Sequence, residues 1–94
     1  MTNILLIDDE TDVRDSIAKV LGREGYDVDS ASNAESGLAL LGKKTFDVLI
    51  TDIIMPGLDG VQVIIYVRDI SPSIKVIAIS GGGNFGPKDD LVFG

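Results

Sequence analysis

The sequence predicts an α/β domain built on a parallel sheet that is covered by helices on both faces. Two observations lead to this fold class: short apolar runs suited to buried strands alternate with segments of helical periodicity, and the connections between them are short. In addition, three of the apolar runs lead directly into residues with oxygen-bearing side chains. The 94 residues suffice for one domain, which we place over residues 1–94.

The first half of the chain contains two predicted strands and two predicted helices. Asn3–Ile7 carries an unbroken apolar run, typical of a strand buried on both faces, and the alternating Tyr26–Ala31 indicates a half-exposed or edge strand. Between them, Thr11–Glu24 repeats apolar residues at the spacing of one helix face. The S-x-x-E pattern of Ser32–Glu35 predicts a capping box that starts the second helix, which ends near Gly42.

The second half continues with a third strand over Phe46–Thr51 and a fourth over Ile74–Ile79. The intervening Val61–Arg68 is rich in β-branched residues, which favour a strand by propensity alone. The alternation of elements and the break at Pro72 favour a helix instead, and we predict a helix there. A further helix is predicted over Pro87–Phe93, with the proline in its first turn.

Composition and charge exclude several classes of function. The chain has no Cys and no His, which excludes disulfides, thiolate chemistry and His-based metal sites, so any metal is a hard cation bound by oxygens, with Mg²⁺ favoured over zinc. Eight Lys and Arg against 15 Asp and Glu give a net charge of −7, which repels nucleic-acid phosphate. No signal peptide and no membrane-spanning apolar stretch is evident, so we expect a cytoplasmic domain.

The predicted strand ends bring reactive side chains to one edge of the sheet. Asp8 and Asp9 follow the first strand, Asp52 follows the third, and Ser80 follows the fourth. Because the carboxyl ends of parallel strands share one edge, these groups should converge there. Carboxylates this close repel each other, and a bound Mg²⁺ would remove the repulsion. Asp52 would then suit nucleophilic attack on phosphorus, with Ser80 donating to a phosphoryl oxygen.

Together these residues resemble the receiver domain of two-component response regulators. The segment Asp52–Gly60, read with the Asp8-Asp9 pair, carries the resemblance, which extends over the whole chain. It implies a flavodoxin-like doubly wound sheet with strand order 2-1-3-4, which the family completes with a fifth strand. It also implies a phosphoacceptor switch in a phosphorelay rather than an enzyme, with a sensor histidine kinase or phosphotransfer protein as partner.

The resemblance implies roles for individual residues. Asp52 would accept the phosphoryl group, Ser80 would act as the switch hydroxyl, and Gly81 would contact the phosphoryl group through its backbone. Four residues would form the magnesium site: Asp8, Asp9, Asp52 and, through its backbone carbonyl, Ile54.

The chain departs from the family pattern at its C-terminus. The fifth strand and fifth helix are missing from the predicted elements, together with the family's lysine at the end of that strand, and Lys88 lies in a different element. We therefore expect a C-terminally truncated receiver domain. The edge of its fourth strand, Ile74–Ile79, is expected to be unpaired, and a homodimer is expected through this edge or through the C-terminal segment.

Two other functions stay open on the sequence alone. A Mg²⁺-dependent phosphohydrolase would use Asp52 as its nucleophile, but such enzymes commonly place a second acid two residues later, where this chain has Ile54. A phosphorylation-independent protein-interaction module is favoured only by the missing C-terminal elements. The Asp8-Asp9 pair also has a simpler explanation, as acids that stabilise a helix N-terminus.

Overall fold

A computed structural model describes residues 2–54 and 60–79, and the backbone of residues 91–93. Within these ranges, strands and helices alternate as far as the fourth strand, and a fifth strand follows. In chain order the elements are β1 (Asn3–Ile7), α1 (Thr11–Arg23), β2 (Asp27–Ala31), α2 (Ala34–Leu41), β3 (Val48–Asp52), α3 (Gly60–Ile70), β4 (Lys75–Ile79) and β5 (Leu91–Phe93).

The strands form one sheet in the order β2-β1-β3-β4-β5. The first four strands are parallel, so the predicted order 2-1-3-4 is confirmed. β1 lies between β2 and β3, with Ile7 paired to Ala31 on one side and to Thr51 on the other. The residues that follow β1 therefore lie beside the carboxyl end of β3.

The sheet is buried on both faces, which explains the continuous apolar runs of its central strands. Alternate residues of β1 enter two separate clusters, with Leu5 and Ile7 on one face and Ile4 and Leu6 on the other. The first cluster also contains residues of α2 and α3, whereas α1 packs on the second. Opposite faces of the sheet are thus covered by different helices, as a doubly wound fold requires.

The helical prediction for the β-branched segment is confirmed by α3. Its buried apolar side chains, Val63, Ile64 and Val67, recur at the spacing of one helix face and enter the core cluster of β1 and β3. Packing of this face outweighs the strand propensity of the β-branched side chains, which differ by about 1 kcal/mol or less per residue on the measured scale. None of the helices in the described ranges is both long and apolar enough to cross a membrane.

The first two helices differ in how their ends are stabilised. Gly25 follows α1 with a φ of 93°, a left-handed conformation that glycine adopts without steric strain. The predicted capping box at α2 is wrong by one residue. Asn33 is the N-cap, and its side chain accepts a 2.7 Å hydrogen bond from the backbone N–H of Ser36, so neither Ser32 nor Glu35 forms that box.

The strand β5 corrects two predictions about the C-terminal part. Residues 91–93, placed in a helix from the sequence, form a strand that pairs antiparallel with Val76–Ala78 of β4. The edge of β4 is therefore paired over these residues, and the expectation of an unpaired edge is wrong there. The physical reason is that an unpaired strand edge has free N–H and C=O groups, which form hydrogen bonds with another strand. Here that strand comes from the same chain. Self-association through the C-terminal segment stays a prediction.

The opposite edge of the described sheet is β2, which carries a small charge cluster. The Lys44 ammonium lies 2.8 Å from a carboxylate oxygen of Asp29 and 3.6 Å from one of Asp27. It also lies over the ring of Phe46, 5.4 Å from the centroid. The hydrogen bond to Asp29 is the main reason why the pKa of Lys44 is raised above its usual 10.5.

Candidate phosphoacceptor and metal site

Three carboxylates converge at the carboxyl edge of the parallel sheet. The pairing of Ile7 with Thr51 places Asp8, the next residue after β1, beside Asp52 at the end of β3. One carboxylate oxygen from each of Asp8, Asp9 and Asp52 lies within 4.8 Å of the others. The geometry follows from strand register, because the parallel pairing of β1 with β3 brings together residues that are 44 apart in sequence.

Asp8 is fully buried and its carboxylate is only half satisfied. Its Oδ1 accepts a 2.9 Å hydrogen bond from the backbone N–H of Glu10, whereas Oδ2 has no partner within the described ranges. Burial raises the pKa of the Asp8 carboxyl above its usual value of 3.8, and the nearby charge of Asp52 raises it further, against the opposing effect of the Glu10 N–H. A buried, unpartnered oxygen beside two other acids indicates a position suited to a cation.

Asp52 is held by its own strand and the turn that follows. Its side chain is 2% exposed, and its Oδ1 accepts a 2.9 Å hydrogen bond from the backbone N–H of Ile54. The Thr51 hydroxyl donates to the Asp52 backbone carbonyl at 3.1 Å. Gly60 packs against the same carbonyl so closely that a Cβ at this position would overlap it. Asp52 is therefore held by contacts with the backbone, and the first residue of α3, Gly60, packs directly against it.

The three carboxylates fit a magnesium ion by their chemistry. Mg²⁺ takes oxygen ligands and binds through a small number of carboxylates, and the cluster offers three with one oxygen unpartnered among the described residues. Without a cation, like charges at this separation oppose one another in a partly buried setting.

The structure brings together some of the predicted site residues and leaves others untested. Asp8, Asp9 and Asp52 lie together, and Ile54 is adjacent, with its side chain 65% exposed. The predictions for Ser80 and Gly81 fall outside the described residues. Ser80 directly follows Ile79, which pairs with Asp52.

One residue of the site was not identified from the sequence. The Arg14 guanidinium donates a 2.9 Å hydrogen bond from Nη1 to the backbone carbonyl of Asp8. The position of Arg14 in the sequence is the one signal for this contact. A cation in the first turns of a helix opposes the helix dipole and is unfavourable unless it has another partner, so Arg14 is expected to have one.

Comparison with known proteins agrees with the fold. Residues 4–88 match the family model described as the response regulator receiver domain. The response regulator receiver protein CpdR of Brucella abortus is 36% identical over 81 residues, which cover 86% of this chain and 68% of the relative. Two further curated relatives are much longer than this chain. The matched residues cover only 18% and 28% of their lengths, so the chain corresponds to a small part of those proteins.

Solved structures show the same similarity in three dimensions. The response regulator TrrA of Thermotoga maritima in complex with Mg(2+)-BeF superposes with a TM-score of 0.80 at 35% identity, over 84% of this chain and 69% of that one. TrrA in complex with the histidine kinase ThkA gives a TM-score of 0.80 at 31% identity, over 93% and 77% of the two chains. The parallel sheet, the convergent acids and these matches lead to one conclusion: the chain belongs to the response regulator receiver domain family.

Proposed function

We propose that the chain is a phosphoacceptor switch in which Asp52 takes a phosphoryl group from a phosphohistidine of a sensor histidine kinase or phosphotransfer protein. The convergence of Asp8, Asp9 and Asp52 within 4.8 Å supports this most strongly. In the transfer, a carboxylate oxygen of Asp52 forms a bond to phosphorus while the phosphorus–nitrogen bond to imidazole breaks, and the bonding electron pair leaves with the nitrogen. The product is an aspartyl phosphate.

The residues of the cluster have separate parts in this transfer. Asp8, Asp9, Asp52 and the backbone carbonyl of Ile54 would hold Mg²⁺, which when bound neutralises charge on phosphoryl oxygens. The Ile54 N–H holds one oxygen of Asp52 at 2.9 Å, so the carboxylate is oriented before a donor arrives. As part of the same proposal, the Ser80 hydroxyl and the Gly81 backbone contact the phosphoryl group, in keeping with the pairing of Ile79 and Asp52.

The kinase partner rests on similarity to TrrA, which has been solved in complex with a histidine kinase. The net charge of −7 supports a protein partner over nucleic acid for this chain. As a kinase substrate the chain would act in the cytoplasm, where phosphohistidine is made at the expense of ATP. In this role it cycles between two covalent states and is a signalling switch, not a turnover enzyme.

Covalent labelling tests the proposal directly. The protein is incubated with Mg²⁺ and acetyl phosphate, and intact mass is measured before and after hydroxylamine. We expect a mass gain of one phosphoryl group that hydroxylamine removes, because an acyl phosphate is cleaved by this nucleophile. The gain should require Mg²⁺ and should be absent in Asp52→Asn.

The matched control is Asp69→Asn, which removes an exposed carboxylate of α3 remote from the cluster. It should label like the unmodified protein. Absence of any mass gain in the unmodified protein would contradict the proposal and favour a phosphorylation-independent module. Rapid phosphate release that Asp52→Asn abolishes, with no accumulation of the phosphorylated protein, would instead identify a phosphohydrolase.

A further inference from the structure

A second polar site lies between α1 and α2, beside the carboxyl end of the edge strand β2. It is a groove of about 490 Å³, a size within the range of small-molecule sites. Its described polar lining consists of two cations and three hydroxyls, with no carboxylate among them: Arg14, Lys43, Ser30, Ser32 and Ser36. This composition contrasts with a chain that carries a net charge of −7.

Most of the hydrogen-bond donors in this groove are available. Arg14 uses Nη1 to bond the Asp8 carbonyl, which orients the guanidinium and leaves its other N–H groups without a partner in the described part of the chain. Within the same ranges Lys43 forms no ion pair, in contrast to its neighbour Lys44. The three serine hydroxyls likewise have no hydrogen-bond partner among the described residues.

These donors match the chemistry of a phosphate group. A guanidinium offers a planar fork to two oxygens of an oxyanion, an ammonium adds a point charge, and hydroxyls donate to the remaining oxygen. We infer that the groove binds a phosphate or small phosphate monoester through Arg14, Lys43 and the serines. Ala39 and Leu40 also line the groove and would contact the organic part of an ester.

The groove is connected to the acidic cluster through the backbone of Asp8. The Asp8 N–H donates to the carbonyl of Ala31 at 3.1 Å, and the Asp8 carbonyl accepts from Arg14. Both partners line the groove. An oxyanion bound in the groove would contact Arg14, which donates to the Asp8 carbonyl. Binding of this oxyanion does not depend on phosphorylation of Asp52.

Titration followed by amide NMR tests the inference without divalent cations. The protein is kept in EDTA at constant ionic strength and titrated separately with inorganic phosphate, ribose 5-phosphate and ribose. We expect saturable shifts at the amides of Ser30, Ser32 and Ser36 with both phosphates and none with ribose. Tighter binding of ribose 5-phosphate would identify an ester as the ligand, and equal affinities would identify the oxyanion alone.

Charge-removing variants locate the site. Lys43→Gln and Arg14→Gln should each weaken phosphate binding about tenfold, because each removes a charge-assisted hydrogen bond. The matched control is Lys19→Gln, which removes one exposed charge from α1 outside the groove lining and should leave the affinity unchanged. Non-saturating shifts, or equal affinities in Lys43→Gln, Arg14→Gln and Lys19→Gln, would overturn the inference. Because Lys43 is exposed, its variant is expected to fold even where loss of Arg14 disturbs the structure.

Discussion

The acidic cluster and the groove behind it share a boundary at Asp8 but differ in burial. Asp8 and Asp52 are 0% and 2% exposed, with carboxylates fixed by backbone N–H groups. In the groove, Lys43 and the three serines are exposed. Each unpaired charge of the buried cluster lowers the free energy of unfolding, whereas water forms hydrogen bonds with the exposed donors of the groove. Substitutions in the cluster should therefore change stability strongly, and substitutions in the groove should change ligand binding instead.

The largest expected effect comes from crowding the buried site. Gly60→Ala places a methyl group against the backbone of Asp52 and Ile53, which has little room to move. We expect a loss of about 3 kcal/mol in the free energy of unfolding, at the upper end for overpacking, measured by urea denaturation. Labelling of Asp52 should also decrease, because its carbonyl is displaced.

The control for this variant is Gly22→Ala on α1, where a Cβ meets nothing within 4 Å. Alanine should stabilise the helix there by roughly 0.5–1 kcal/mol. A Gly60→Ala protein as stable as the unmodified chain would show that α3 does not pack tightly against the acceptor.

The next largest effect is a gain in stability on neutralising Asp8 in the absence of metal. In Asp8→Asn, the side-chain oxygen can keep the bond from the Glu10 N–H, and the new amide can donate to a neighbouring carboxylate. We expect the free energy of unfolding in EDTA to rise by about 1–3 kcal/mol, the cost of an unsatisfied buried group. Asp15→Asn, an exposed acid of α1, should change it by less than about 0.5 kcal/mol.

The pH dependence of this gain has a defined sign. The pKa of Asp8 is higher in the folded protein than its usual 3.8, so the folded state binds this proton more tightly than the unfolded state. The destabilisation caused by the charged Asp8 carboxylate is largest at pH values above the raised pKa. It decreases as the pH falls through that pKa, because the carboxylate becomes protonated. The stability difference between Asp8→Asn and the unmodified protein should therefore narrow from neutral pH towards pH 4, as measured by urea unfolding in EDTA. A difference that widens on acidification would contradict this.

The smallest changes in the free energy of unfolding are expected for residues at the rim of the groove. Asn33→Ala removes the cap of α2 and should lower the free energy of unfolding by about 1 kcal/mol. Ser32→Ala, one residue earlier, should change it by less than about 0.5 kcal/mol because Ser32 is exposed and is not the N-cap of α2. Thermal denaturation of both variants separates a structural residue from a ligand-binding one, and equal losses would assign Ser32 a structural role.

The parts of the molecule that were predictable from the sequence are those with a local pattern. The acids after β1 and β3 follow directly from apolar runs that end in Asp, and strand register then brings them together. The strand β5 has only three residues, too few for a periodicity to distinguish strand from helix, and its pairing with β4 is a tertiary contact. The contact of Arg14 with Asp8 likewise depends on how α1 packs: the position of Arg14 early in the helix indicates that it needs a partner but does not identify Asp8.

The charge cluster on β2 has a consequence for how molecules of this protein meet. An edge strand is a template on which the backbone of another chain can add, and uninterrupted templates lead to aggregation. On β2, a second chain would have to approach two carboxylates and a lysine that is held by both of them and by an aromatic ring. Removal of Lys44 would leave two neighbouring acids at this edge, and removal of both acids would leave the lysine, so either change keeps an unbalanced charge beside β2. Charge at this edge therefore opposes the addition of a further strand, whichever sign remains.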